Sequence, residues 1–164
     1  MRREPIVKTA GMAGTSDLTV LAPILPGLVP ALDAVTYKSR ARRVLRALHA
    51  GRQMAHEYDL ARVLSDAGEG VGHIHTVRIA VLEPQDSIML AVTFDGPWEA
   101  YVRVIWQKVS RLLDLIFCNT VDYKSGWTSS FEEWGAWLRS RQVGTPFLYA
   151  QPGVTPAGVG YLRV

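Results

Sequence analysis

The histidines of this chain come in two spaced pairs, and histidine can ligate a metal or haem iron or move a proton near neutral pH. His49 and His56 are seven residues apart in a helical pattern, so they lie two turns apart on one face, with Arg52 between them. His73 and His75 share one face of a predicted strand. No Cys-x-x-Cys or His-Glu-x-x-His spacing indicates zinc. Two interpretations remain open, ligands or ordinary surface and structural histidines.

The helical segment that carries the first histidine pair is strongly basic. Between Tyr37 and His56 it holds six cations and no acid, and Lys38, Arg42 and Arg46 form one ridge. Such a ridge suits a carboxylate, a phosphate or a haem propionate, or it is a solvated outer face. No aromatic residue interleaves the cations, which does not favour nucleic acid. The charge is uneven, with nine cations against three acids in residues 1–56 (+6) and nine against twelve in 57–164 (−3).

A third candidate lies where a predicted strand meets a predicted helix. Asp95 precedes Gly96 there, and a carboxylate on such a loop is either an acid–base group or an N-terminal helix cap. The cap explains the pattern as well, because Pro97 suits a first turn and Glu99 complements the helix dipole. Cys118 ends an apolar run and is expected to pack as a small hydrophobe. The tryptophans of the second half are expected in the core, or at an interface where exposed.

The elements that must position these residues follow the order β-α-β-β-α-(α)-β. Alternating apolar residues in 73–82 and 88–94 around the turn 83–86 predict a hairpin. Helices are predicted after Asp33 or Thr36, after Asp95, and after a capping box at Ser129 with Glu132 or Ser130 with Glu133, with outer strands at 18–24 and 146–150. This order predicts an α+β ferredoxin-like sandwich over 17–150, a four-stranded antiparallel sheet with helices on one face. Residues 1–16 are predicted to form a flexible arm and 151–164 a tail.

The face of the hairpin turned away from the helices is too apolar for a wholly solvated surface. Ile74, Ala80, Met89 and Ala91 fall on it by their alternation. A half-apolar outer face suggests a second covered surface, such as a partner sheet. The sequence therefore predicts a homo-oligomer formed through the sheet.

The segment 73–104 resembles the hairpin-and-helix unit of dimeric α/β-barrel proteins, especially the ferredoxin-like modules found with dye-decolourising-type haem peroxidases. The matching residues are Arg78, Val81, Phe94, Asp95, Gly96, Trp98, Glu99 and Tyr101. The resemblance implies haem as cofactor, with His49 or His56 as axial ligand and Arg46 beside it, and Asp95 and Arg52 as catalytic groups. The chain lacks the leading glycine of the peroxidases' Gly-x-x-Asp-Gly motif and holds one such unit where they use two. A second copy would then supply the missing unit.

A different class of function is the alternative to this interpretation. A non-catalytic interaction or oligomerisation module would use the basic helix and the tryptophan-rich half to bind a protein or another anionic partner. One cysteine permits no internal disulfide, and no window reads as a signal peptide or a spanning helix. We expect a soluble cytoplasmic protein that binds no membrane.

Overall fold

An antiparallel sheet of five strands, four strands wide, forms the centre of the computed structural model, which describes residues 11–12, 14–53 and 74–148. The strands are β1 (Gly11–Met12), β2 (Thr15–Pro23), β3 (Ile74–Leu82), β4 (Ser87–Asp95) and β5 (Gln142–Val143), and the helices are α1 (Tyr37–Gln53), α2 (Trp98–Phe117) and α3 (Phe131–Arg141). Across the sheet the order is β5-β2-β4-β3, and the short β1 shares the β5 edge of β2. This order confirms the predicted ferredoxin-like α+β fold.

One face of the sheet carries the core. Leu18 and Val20 of β2 and Leu90 and Val92 of β4 alternate with less buried neighbours, as half-buried strands must. All three helices lie on this face, and they contribute a continuous apolar cluster that includes the fully buried Trp134. The opposite face of the sheet is left without a helix among the described residues.

A β-bulge at His75 changes which side chains of β3 face the core. Ile74 pairs with Phe94, but the register shifts so that Thr76, not His75, pairs with Thr93. Ile74 therefore packs on the core cluster, and the prediction that placed it on the outer face is wrong. Strict alternation cannot reveal a bulge, because one extra residue reverses the faces of all residues before it.

Helix starts were predicted with mixed success. Thr36 caps α1, since its Oγ1 accepts from the Ser39 N–H at 3.0 Å, and Ser130 forms the capping box with Glu133. Asp95 does not cap α2, because Pro97 takes the cap position without any side-chain hydrogen bond.

The ends of the domain also differ from the prediction. Residues 11–12 and 15–16 of the expected arm belong to β1 and β2, while 1–10 and the tail 151–164 lie outside the described residues. The last described strand is β5 at Gln142–Val143. Residues 146–148 of the expected strand 146–150 form none, and 149–150 lie outside the described residues. None of the described helices is long and apolar enough to span a bilayer.

The carboxylate of one residue on α2, Asp114, holds the connection between α2 and α3 against α2 by hydrogen bonds. Asp114 accepts hydrogen bonds from the Tyr123 hydroxyl (2.6 Å), the Ser125 hydroxyl (2.9 Å), and the backbone N–H groups of Gly126 (2.7 Å) and Trp127 (3.2 Å). The Tyr123 oxygen in turn accepts from the indole N–H of the buried Trp134 at 3.1 Å. One ionised side chain thus orders a whole loop, because charge-assisted hydrogen bonds are stronger than neutral ones.

Two glycines allow a matched test of this connection. A Cβ at Gly126 would overlap the Ser110 side chain on α2, whereas a Cβ at Gly135 in α3 would stand 4.0 Å from the Phe131 ring, an ordinary contact. We expect Gly126→Ala to lower the free energy of unfolding by about 1–3 kcal/mol. Gly135→Ala should raise it by up to about 1 kcal/mol, because alanine favours a helix interior. Urea denaturation measures both, and equal effects would contradict the close approach of the loop to α2.

Candidate functional site

Two residues that the sequence singled out separately meet at one end of the bare sheet face. The His75 Nε2 atom lies 2.8 Å from Asp95 Oδ1, and the Thr15 hydroxyl donates to the same oxygen at 3.3 Å. Three strands place these groups, since His75 lies at the bulge of β3, Asp95 at the end of β4 and Thr15 at the start of β2. The side chains of His75 and Asp95 are 25% and 18% exposed, so the pair is partly shielded from water.

A histidine held by a carboxylate can accept or release a proton, and the carboxylate stabilises the charged imidazole. This arrangement gives Asp95 a polar partner other than the one implied by the resemblance, which coupled it with Arg52. The hydroxyl in contact with the pair, that of Thr15, donates to the carboxylate and not to the imidazole, so it is not activated as a nucleophile. The pair therefore consists of groups that can transfer a proton, and among the described residues no nucleophile is assembled beside it.

Further polar groups line the same end of the bare face. The hydroxyl oxygens of Thr76 and Thr93 are 2.7 Å apart across β3 and β4, and the Thr145 hydroxyl donates to Asp17 Oδ2 at 2.5 Å. Asp17 is buried although it belongs to the outer face, and the hydrogen bond from Thr145 partly satisfies its buried carboxylate. The bare face is thus polar at this end and apolar towards Pro23 and Leu82.

The basic ridge of α1 is largely neutralised by the turn of the predicted hairpin. Lys38 forms ion pairs with Glu83 (3.7 Å) and Asp86, and Arg42 pairs with Glu83. These acids lie in the β3–β4 turn, where Asp86 takes a positive φ of 45°. Charge counting along α1 alone could not reveal this, since the partners are more than forty residues away in the chain.

Arg40 on the same helix has a structural role. Its Nε donates to Asn119 Oδ1 at 2.6 Å, and Asn119 is fully buried at the end of α2. The Arg40 guanidinium also reaches the Cys118 Sγ at 3.6 Å. Burial nevertheless raises the pKa of the Cys118 thiol, with Arg40 acting in the opposite direction. Cys118 is therefore not an activated thiolate.

The remaining candidates on α1 point to solvent or lie beyond the described side chains. Arg46 and His49 are exposed, and so is Arg43. The backbone of Arg52 belongs to α1, but its side chain is not described, and His56 lies outside the described residues, as does His73. The structure therefore brings none of the described α1 candidates together with Asp95.

An apolar cavity of about 60 Å³ lies between the sheet and α2. Its described lining is almost wholly apolar, with Tyr101 as a polar exception: Leu18, Val77, Ile79, Leu90, Val92, Tyr101, Val102, Ile105, Val109, Leu112, Leu113, Ile116, Trp134 and Leu138. For comparison, an engineered cavity of about 150 Å³ holds a single benzene molecule. This space fits a packing gap.

The described apolar cavity does not fit a porphyrin. No described histidine lines the cavity, the space is far too small for a macrocycle, and His49 stands exposed on the outer side of α1. Among the residues that the structure describes, no group of three or more potential metal ligands occurs. Haem ligation by His49 or His56 with Arg46 and Arg52 stays a prediction, which the absorbance spectrum of the protein mixed with haem would decide.

Comparisons with known proteins leave the residues themselves as the basis for any functional argument. No protein-family model, no curated protein and no solved structure matches this chain.

Arg40 and Arg43, three residues apart on α1, allow a test of whether the contact between Arg40 and Asn119 stabilises the fold. We expect Arg40→Ala to lower the free energy of unfolding by about 1–3 kcal/mol, because the buried Asn119 carbonyl would lose its partner. Arg43→Ala, at an exposed position, should change it by less than about 0.5 kcal/mol. Chemical denaturation of the two variants side by side gives the answer. Equal, small effects would show that the contact with Asn119 does not stabilise the fold.

Tyr101 should make the free energy of unfolding fall as the pH rises above about 10. Burial raises the pKa of its hydroxyl far above the ordinary value of about 10. Above about pH 10 the unfolded chain ionises while the folded one does not, so stability is lost as the pH rises. Tyr101→Phe keeps the ring stacked on Phe94 and should make this loss shallower by up to about 1.4 kcal/mol per pH unit. Urea titrations from pH 8 to 11.5 measure the slopes, and parallel curves would contradict the assignment.

Proposed function

We propose that the protein is a self-associating module in which two copies pack the bare faces of their sheets against each other. This is a non-catalytic oligomerisation role. The observation that carries it is the partly exposed apolar row of Leu21, Met89 and Ala80, on the side of the sheet that no described helix covers. The interaction module considered in the sequence analysis would bind its partner through the basic helix α1. We place the interface on the sheet instead, because Lys38, Arg40 and Arg42 of α1 already form contacts within the fold.

The register of the sheet defines the apolar part of this face. Leu21, Met89 and Ala80 form one row across β2, β4 and β3. The rows on either side add further side chains of the same face: Thr19, Ala91, Arg78, Pro23, Ser87 and Leu82. The first row is only partly buried in a single copy. Removing the exposed part of the Leu21–Met89–Ala80 row from water is favourable, in proportion to the apolar area buried.

The size of the face supports a second copy as the occupant. Nine-residue strands are about 30 Å long, and three of them side by side are about 15 Å wide including their side chains. The three strands thus present about 450 Å² in projection. The flanking β5 edge, where Val143 is exposed, has to add to this area to reach the about 800 Å² that each partner buries in a stable interface. Sheets that pack face to face are a common way to cover two such surfaces at once.

The charges of the face support self-pairing as well. Arg78 on β3 and Asp95 at the end of β4 lie on the same face, about four residues apart along the strands. A two-fold axis between them would bring each Arg78 towards the Asp95 of the other copy, because an isologous contact repeats every pair twice. The His75–Asp95 pair would then lie at the border of the interface and stay hydrogen-bonded, as a buried charge requires.

Two alanine-to-arginine substitutions test the proposal. Ala80→Arg puts a charged side chain at the β3 end of the apolar row, beside Met89, whereas Ala100→Arg adds the same side chain at an exposed position of α2. We expect Ala80→Arg to weaken association at least about tenfold, because an unpaired charge would be desolvated in the interface. Ala100→Arg should leave it unchanged. Sedimentation equilibrium measures both, with circular dichroism as a check on folding. A monomeric wild-type chain at 100 µM, or equal behaviour of the two variants, would refute the proposal.

A further inference from the structure

Trp127 is the most exposed tryptophan of the described chain, and it stands apart from the core to which the sequence assigned it. Its residue surface is 62% exposed, whereas Trp134 and Trp137 are buried. The Arg111 guanidinium lies 3.5 Å from the centroid of the Trp127 ring. Leu115, 56% exposed, follows Arg111 by one helical turn. We call Lys108, Arg111, Leu115 and Trp127 the Trp127 patch.

The backbone beneath Trp127 is held rigidly. Its N–H and that of Gly126 both donate to the Asp114 carboxylate, and Gly126 lies so close to Ser110 that a Cβ would not fit. The loop is therefore ordered before anything binds. A partner meeting a preorganised side chain loses less conformational entropy on binding, and the affinity is correspondingly higher.

The composition of the patch is that of a protein-binding hot spot. Tryptophan and arginine dominate the few side chains that carry most of the binding free energy at protein interfaces. The Arg111 guanidinium stacks over one face of the Trp127 ring. The same surface therefore offers the indole for dispersion contacts and the guanidinium for two-point hydrogen bonding to a carboxylate.

The charges around the patch specify the partner. Lys108 and Arg111 on α2 and Lys124 on the loop are exposed cations. Two acids close to Trp127 in the sequence are engaged within the fold, since Asp114 accepts four hydrogen bonds and Asp122 pairs with Arg141 at 3.6 Å. We propose that the Trp127 patch binds an acidic protein segment, whose carboxylate meets Arg111 and whose apolar side chain packs on Trp127 and Leu115.

A protein segment fits better than a nucleic acid strand. Single strands bind on successive aromatic platforms, and the side chain that continues this surface along α2 is the aliphatic Leu115. An aliphatic neighbour suits an apolar side chain of a peptide. The patch lies on the helix side of the domain, so the inference does not depend on association through the sheet.

The experiment uses a phage library of random twelve-residue peptides, selected on the immobilised full-length chain. We expect enrichment of peptides in which Asp or Glu flanks Leu, Phe or Trp. The selected peptide, labelled with a fluorophore, is then titrated by anisotropy. Trp127→Ala should weaken its binding about 30-fold, and Arg111→Glu at least about tenfold.

Matched variants keep the result specific. Arg43→Glu changes an exposed cation on α1, and Leu32→Ala removes an exposed leucine from the β2–α1 connection, for comparison with Arg111→Glu and Leu115→Ala. Both controls should bind the peptide as the wild type does, and circular dichroism checks that every variant folds. The inference is overturned if no acidic peptide is enriched or if Trp127→Ala binds it equally well. Trp127-dependent binding of a twenty-nucleotide oligo-dT without peptide enrichment would overturn it too.

Discussion

The two central strands, β2 and β4, pair antiparallel along all nine residues of each, from Thr15 with Asp95 to Pro23 with Ser87, and the remaining structure depends on this pairing. Because side chains alternate along both strands in step, one face of the pair is apolar except for Ser16 and receives the helices. The same alternation sends the other half of the side chains to the opposite face. The core and the bare face are thus two consequences of one register.

The bare face is not uniform, and the pairing explains this as well. At the end where β2 begins, the register gathers Thr15, Asp17 and Asp95, and the bulge of β3 brings His75 to Asp95. At the other end it gathers apolar residues around Met89. The domain therefore presents a polar border and a partly exposed apolar row on one sheet face.

Charge on the helix side is likewise organised by contacts distant in sequence. The basic helix α1 is tied to the β3–β4 turn through Lys38 and Arg42 and to the end of α2 through Arg40. On α2, the Asp114 carboxylate orders the connection to α3 and thereby fixes the exposed Trp127. A run of like charges in a sequence thus says little about what remains free for a ligand, because opposite charges are supplied by other elements.

The sequence by itself determined the elements whose signals are local. The period-two alternation of the hairpin, the Thr36 cap and the Ser130–Glu133 capping box depend on neighbouring residues, and the order of elements then restricted the fold to the ferredoxin-like arrangement. What only the tertiary structure decided depends on pairing across the chain. Four features belong to this second group: the bulge at His75, the contact of Asp95 with His75 in place of a cap, the burial of Asp17 and the exposure of Trp127. Each depends on contacts between residues that are distant in the sequence. These contacts depend on the free energy of the whole assembled fold, which cannot be inferred from the sequence of any single segment.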